Sequence, residues 1–185
     1  MIIALADLLK KDLYGHVVVF ETDTVYGIGC LYNDIKSVKR IYEIKKREPM
    51  KPMALLCADV EQVKTLVTNF EAGEKYASKY WPGALTLIFN KNNQIDDAIT
   101  ANQPTVGVRI PNSPTALAIL SHFGPMVVTS LNLSTEPAIL KYQDALKFDG
   151  LADFIVEGQD LSAVASTVYD PMSHKTLRAG QIIID

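Results

Sequence analysis

Residues 21–24, with the sequence ETDT, end an apolar run that begins at Val17. Val25 and Tyr26 follow, and after them the Gly-Ile-Gly of residues 27–29. Hydroxyl groups and backbone amides bind small ligands, and glycine lets a ligand approach the main chain closely. The pattern is typical of a small-molecule site at the mouth of a buried strand. A hydrogen-bonded turn between two strands is the alternative, and these residues alone favour neither.

Five further polar groups accompany the predicted strands, most of them at strand ends: Lys45 with Arg47, Arg109, Ser130 with Asn132, Ser166 with Thr167, and Arg178. Open α/β sheets bind ligands at the ends of their strands. Arginine and lysine there suit phosphate or carboxylate, and hydroxyl and amide groups add neutral donors. With Thr22 and Thr24, these groups predict a pocket for an anionic, phosphorylated small molecule. Ordinary salt bridges and turn caps are the alternative for each group taken alone.

Several other chemistries lack their motifs in this sequence. There is no GxxxxGK[ST] phosphate loop, no GxGxxG and no GxSxG nucleophile elbow. His16, His122 and His174 stand apart from any nucleophile context, which disfavours a covalent triad mechanism. Cys30 and Cys57 lie in apolar runs and are predicted to be reduced core residues, and no spacing indicates a zinc site.

The composition indicates an ordinary globular protein. Of 185 residues, 48% are hydrophobic and 21% charged, with a net charge of −3, so we expect one domain over residues 1–185. Residues 1–13 are interrupted by charges and do not form a signal peptide. No apolar run approaches the roughly 18 residues of a membrane span. We therefore expect a soluble, cytoplasmic protein with no membrane contact.

The hydrophobic pattern predicts helices that alternate with strands, and therefore a layered α/β fold with a mixed sheet. The predicted helices cover residues 2–13, 35–48, 60–70, 76–80, 113–123 and 143–147. The predicted strands cover residues 17–20, 52–57, 84–89, 105–110, 126–130, 154–156, 166–169 and 181–184, and residues 91–104 are predicted to be a surface loop.

Residues 36–51 are strongly basic, with seven lysines and arginines against two glutamates. Such a segment is compatible with a module that binds structured RNA. The overall acidic balance weakens that hypothesis, since phosphate contacts dominate nucleic-acid affinity.

Seven segments of the chain resemble the YrdC-like family of L-threonylcarbamoyladenylate synthases in its single-domain form. They are, in order, ETDTVYGIGC, KKREPMKP, WPGALTLIF, TVGVRIPNSP, TSLNLS, STVYD and LRAG. The resemblance implies a twisted mixed α/β sheet with flanking helices and a large open cavity. It also implies a nucleotidyltransferase that joins L-threonine, bicarbonate and ATP into threonylcarbamoyl-AMP and pyrophosphate. The product serves the N6-threonylcarbamoyladenosine modification of tRNA.

The same resemblance implies roles for the polar residues. Thr22, Thr24 and Arg109 would bind L-threonine, and Lys45 and Arg47 would be catalytic through the ATP phosphates. The nucleotide would also contact Ser130, Asn132, Ser166 and Arg178. Mg²⁺ is the implied cofactor, accompanying ATP, and a tRNA-modifying transferase complex is the implied recipient of the adenylate.

The chain departs from the family pattern at four positions: Glu21 and Glu48 stand where proline is usual, Leu131 where alanine is usual, and Leu56 where some relatives have histidine. These changes affect backbone stiffness and pocket width at the threonine end. A paralogue making another carbamoyl-adenylate is therefore an alternative, beside the RNA-binding module.

Overall fold

The computed structural model describes residues 1–46, 48 and 51–184. In this part of the chain the strands are β1 (Ile2–Ile3), β2 (Val18–Glu21), β3 (Tyr26–Leu31), β4 (Ala54–Leu56), β5 (Leu85–Asn90), β6 (Thr105–Arg109), β7 (Met126–Ser130), β8 (Phe154–Val156), β9 (Thr167–Asp170) and β10 (Lys175–Arg178). They form one sheet in the order β1-β8-β2-β3-β7-β4-β6-β5-β9-β10. Parallel and antiparallel pairs both occur, so the predicted mixed sheet is confirmed.

The α-helices among the described residues are α1 (Leu5–Leu8), α2 (Ile35–Lys45), α3 (Val60–Lys64), α4 (Glu74–Tyr80), α5 (Asp97–Thr100), α6 (Pro114–Phe123) and α7 (Tyr142–Ala145). Two short 3-10 helices cover Phe70–Ala72 and Leu146–Phe148. Each of these helices is too short to span a lipid bilayer.

Three sequence predictions of secondary structure are wrong. Ile2–Ile3 is not part of the first helix but a strand beside β8, with Ile2 opposite Ile155. The predicted loop 91–104 contains α5, whose Ile99 is fully buried. Residues 181–184 are not a strand, and the last strand is β10, antiparallel to β9. In the first and third cases the partner strand, not the local apolar pattern, decides where a strand forms.

The two faces of the sheet carry different cores because successive strand residues point to opposite faces. Val17 and Val19 belong to the larger apolar cluster, in which α2 and α4 pack. Val18 and Phe20 belong to a second cluster with residues of α1 and α6. Helix α6 contacts β2 and α1 contacts β8, so these two helices cover the second face near the β1 edge.

Helix α2 places the basic segment beside the sheet. Asp34 caps its first turn by accepting a hydrogen bond from Ser37 N at 3.1 Å. The helix ends at Lys45, and the following Lys46 adopts a left-handed conformation with φ 49°. Val38 and Ile41 are buried against the sheet, and this contact turns Lys45 inward. The prediction of a helix over residues 35–48 is therefore too long, since Glu48 is not helical. Pro49, the residue that bounds the predicted helix, lies outside the described residues.

Candidate functional site

A cavity of about 260 Å³ opens over the second face of the sheet, and its volume far exceeds that of one water molecule. Its walls come from β3, β7, β4, β6, β5, β9 and β10 and from the β2–β3 turn. Alternate strand residues face it, and most are small or polar: Gly27, Ala54, Thr86, Gly107, Ser130 and Ser166. Their neighbours in the chain, such as Leu55, Leu85 and Val108, are buried in the larger core. The cavity therefore lies above a stretch of sheet whose side chains on this face are too small to fill the space.

The Thr22–Thr24 turn is both a tight hydrogen-bonded turn and part of the cavity wall. Thr22 Oγ1 donates to Val25 O at 2.7 Å and accepts from Thr24 N at 3.1 Å. Both threonines line the cavity, although each is buried. The two interpretations of this segment are therefore compatible, because the turn itself forms the wall.

Arg109 is the best-anchored cation of the cavity. Its Nε donates to Gly83 O and its Nη1 to Thr24 Oγ1, both at 2.9 Å, while Nη2 forms an ion pair with Asp23. Burial lowers the pKa of Arg109, and the Asp23 carboxylate opposes that shift. Arginine remains protonated in proteins. Three of its five N–H groups are used among the described residues, which leaves two for a ligand oxygen.

Lys45 lies behind the cavity wall and is joined by a hydrogen bond to Ser130, which lines the cavity. Its side chain is almost fully buried, with 1% of the residue exposed. Its Nζ donates to Ser130 O, to Asn132 O at 2.9 Å and to Asn132 Oδ1 at 2.7 Å. Ser130 Oγ donates to the same Asn132 Oδ1 at 2.8 Å. This cluster fixes the carboxyl end of β7 and places a positive charge close behind Ser130.

A third cluster of the cavity wall is formed by Arg178, Ser166 and Thr86. Arg178 Nε and Nη2 donate to Ser166 O at 3.0 and 2.8 Å, and Nη2 also contacts Ser166 Oγ at 3.0 Å. Ser166 Oγ lies 2.8 Å from Thr86 Oγ1. Gly180, two residues after Arg178, packs tightly against the chain beside Ser166. A Cβ atom at this position would lie 2.5 Å from Thr167 N. The LRAG segment therefore places a guanidinium group beside two hydroxyl groups.

Six of the nine predicted site residues line this one cavity: Thr22, Thr24, Arg109, Ser130, Ser166 and Arg178. Lys45 and Asn132 lie directly behind it, through their bonds to Ser130. Arg47 lies outside the described residues, so its contact with the ATP phosphates stays a prediction. Within the basic segment, Arg40 pairs with Asp153, whereas Lys36 and Lys39 are exposed.

Sequence reasoning missed two members of the site. Thr86 lines the cavity and contacts Ser166, yet it sits in the middle of the apolar segment ALTLIF. The signal in the sequence that could have indicated Thr86 is its hydroxyl group, which stands alone inside an apolar strand. Asp23 orients Arg109, and its place between two threonines marked it as polar without indicating a partner.

Two guanidinium groups and several hydroxyl groups facing one cavity suit a ligand with two anionic parts, such as a carboxylate and a phosphate. A family model named Sua5/YciO/YrdC and described as "telomere recombination" matches residues 13–180. This chain belongs to the Sua5/YciO/YrdC family.

Individual relatives within the Sua5/YciO/YrdC family are clearly similar. The threonylcarbamoyl-AMP synthase of Bacillus subtilis is 37% identical over 157 residues, which make up 83% of this chain and 44% of that protein. The Pyrococcus abyssi enzyme of the same name is 35% identical over 160 residues, 84% of this chain and 47% of its own. A crystal structure of P. abyssi Sua5 complexed with L-threonine matches with a TM-score of 0.87 at 31% identity, over 92% of this chain and 54% of that one. The chain thus spans about half the length of these relatives.

Two glycines of this Sua5/YciO/YrdC family member give a paired prediction. A methyl group on Gly29 would lie 2.6 Å from Val127 O, a backbone atom, so Gly29→Ala should cost about 3 kcal/mol of folding free energy. A methyl group on Gly107 would meet only side chains, the nearest being Thr86 Cγ2 at 3.1 Å, inside the cavity. We therefore expect Gly107→Ala to unfold nearly like wild type in urea while binding ligand more weakly. Equal midpoints for the two variants would contradict this assignment.

Proposed function

We propose that this chain carries a threonylcarbamoyl-AMP synthase activity, as its relatives are named. The substrates would be L-threonine, bicarbonate and ATP, and the products threonylcarbamoyl-AMP, pyrophosphate and water. The observation that carries the proposal is the convergence of Arg109, Arg178 and several hydroxyl-bearing residues on one cavity in a member of this family.

In the proposed reaction the threonine amine and bicarbonate form a carbamate with loss of water. A carbamate oxygen then attacks the α-phosphorus of ATP, and the bond to the leaving pyrophosphate breaks. This chemistry needs no protein nucleophile. The protein contributes positioning and neutralisation of charge.

The proposed arrangement has an amino-acid end and a nucleotide end. The two remaining N–H groups of Arg109 are suited to the threonine carboxylate beside Thr22 and Thr24. Ser130, Ser166 and Arg178 line the same cavity and are proposed to bind the nucleotide. Arg47 keeps its predicted role at the phosphates, whereas Lys45 is proposed to act on them through its charge, because its Nζ donates to Ser130 and Asn132. For Lys45 the supporting observation is its charge behind Ser130.

Mg²⁺ is proposed to enter with ATP. Among the described residues no group of three or more carboxylate, histidine or cysteine side chains is arranged to hold a metal ion. Mg²⁺ commonly binds through substrate phosphates and water, so the phosphates would supply its ligands. The adenylate would then pass to a tRNA-modifying transferase. The proposed unit is the single domain of residues 1–185, since all site residues belong to one sheet or its connections.

A pyrophosphate-release assay tests this function. Purified protein with ATP and Mg²⁺ should release pyrophosphate only when both L-threonine and bicarbonate are present. Release without threonine, or with another amine in its place, would favour the paralogue that makes a different carbamoyl-adenylate. Absence of release under all conditions would overturn the proposal.

Arg47→Ala tests the phosphate assignment. We expect it to slow adenylate formation about 100-fold, because one positioned donor to developing charge contributes an effect of that size. Lys39→Ala is the matched control, since Lys39 is an exposed cation of the same basic segment. Equal rates for the two variants would remove Arg47 from the site.

A further inference from the structure

Glu21 is held at the end of β2 by two contacts to distant parts of the chain. Its Oε2 accepts a hydrogen bond from Gln159 N at 3.0 Å, and its Oε1 accepts one from Thr115 Oγ1 at 3.1 Å. The carboxylate thus joins β2 to the start of α6 and to the segment after β8. A residue without a side-chain acceptor at position 21 could make neither contact.

The same Gln159 is held from a second side. Tyr26 OH donates to Gln159 O at 2.8 Å, so side chains of β2 and β3 bind both backbone groups of this one residue. Burial and the Glu21 charge raise the pKa of Tyr26, which keeps the hydroxyl a donor. A methyl group on Gly158 would lie 2.5 Å from Tyr26 OH and 3.0 Å from Glu21 Oε2, so the contact requires glycine there.

Gln159 belongs to the connection between β8 and β9, which we name the 157–166 connection. These two strands follow each other in the chain but are second and ninth in the sheet. The connection is fastened at Gln159 and again at Leu161, whose N donates to Leu140 O at 2.8 Å. Five residues after Leu161 the connection reaches Ser166, which with Ala165 lines the cavity.

We propose that Glu21 is a positioning residue for the nucleotide end of the cavity. Its carboxylate fixes Gln159, and the 157–166 connection carries that fixed point to Ala165 and Ser166. This inference rests on the proposed function for the identity of the ligand, but the fastening itself is independent of it. Glu21 touches no substrate and acts through the backbone of the connection.

Amide hydrogen exchange measured by NMR tests the fastening without any substrate. Glu21→Ala should speed exchange at the Gln159 amide about tenfold, because it removes a hydrogen bond to a charged acceptor. Glu21→Gln should leave it nearly unchanged, since its amide oxygen still accepts from Gln159 and its NH₂ donates to Thr115. Gly158→Ala should reproduce Glu21→Ala. The control is Glu157→Gln, an exposed carboxylate two residues away.

Steady-state kinetics test the consequence for the site. Glu21→Ala should raise the KM for ATP about tenfold while kcat and the KM for threonine change by less than about threefold. Rescue by Glu21→Gln would show that hydrogen-bond geometry, not negative charge, is what the position supplies. An equal loss in all kinetic constants, or a failure of glutamine to rescue, would overturn the positioning role.

The two proposals fail in different ways. If wild-type protein makes no pyrophosphate from threonine and bicarbonate, the proposed function is wrong, and exchange at Gln159 still decides whether Glu21 fastens the connection. If wild type is active but exchange at Gln159 is the same in wild type and Glu21→Ala, the inference alone is wrong.

Discussion

Replacing Arg109 with leucine is expected to lower the free energy of unfolding by about 3–5 kcal/mol, because it leaves the Asp23 carboxylate buried without its cation. The side chains of Arg109 and Asp23 are only 7% and 15% exposed. The substitution also removes hydrogen bonds to Gly83 O and Thr24 Oγ1. Urea unfolding measures the loss directly. The KM for threonine should rise at least tenfold, as the proposed carboxylate partner is gone.

A double-mutant cycle isolates the ion pair. Asp23→Asn combined with Arg109→Leu should be more stable than Arg109→Leu alone, because the uncompensated charge has been removed. The control is Lys147→Leu, which breaks an ion pair to Asp144 whose side chains are 74% and 44% exposed. Because solvent screens this exposed pair, that loss should be small beside the loss for Arg109→Leu. Similar losses for the buried and exposed pairs would show that Asp23 does not depend on Arg109.

Lys45→Met is the second substitution that we expect to lower both the stability and the activity strongly. Methionine reproduces the lysine side chain as far as Cε but leaves Ser130 O, Asn132 O and Asn132 Oδ1 without the Nζ donor. Buried acceptors without a donor cost about 1–3 kcal/mol, so we expect a loss of about 3 kcal/mol. Pyrophosphate release should also fall at temperatures where the variant is fully folded, because the end of β7 is no longer fixed.

The same substitution one residue along provides the control for Lys45. Lys46 is exposed and follows α2 in a left-handed conformation that methionine tolerates no worse than lysine. Lys46→Met should therefore change both stability and activity little. If the two variants lost equal stability in urea, the burial of Lys45 would have no energetic consequence.

Local signals in the sequence were sufficient for much of the fold. The strand Met126–Ser130 and the helix over residues 113–123 were predicted because an apolar run and a helical apolar period act within a few positions. The strand Ile2–Ile3 was missed, because its partner Ile155 lies far along the chain. A local pattern contains no information about that partner.

The candidate site was predictable as a set of residues but not as an arrangement. Strand ends attract ligands, so Arg109 and Ser130 were found from their positions alone. Lys45 points at the carbonyl of Ser130, at the end of β7, whereas Arg109 faces the cavity. Both orientations depend on tertiary packing. The role of Glu21 depends on Gln159, which is far away in sequence and lies in a segment without regular structure.

The strand order also has a consequence for how the molecule acquires its shape. β8 lies between β1 and β2, so β1 cannot join the sheet, and β2 has only β3 as a neighbour, until residues 154–156 have been synthesised. Contacts between such remote residues make folding slow and leave strand edges open in a partly synthesised chain. Thr22 and Ser166 can line one cavity only after residue 166 has been synthesised. Assembly of the cavity is therefore expected to be among the last events of folding.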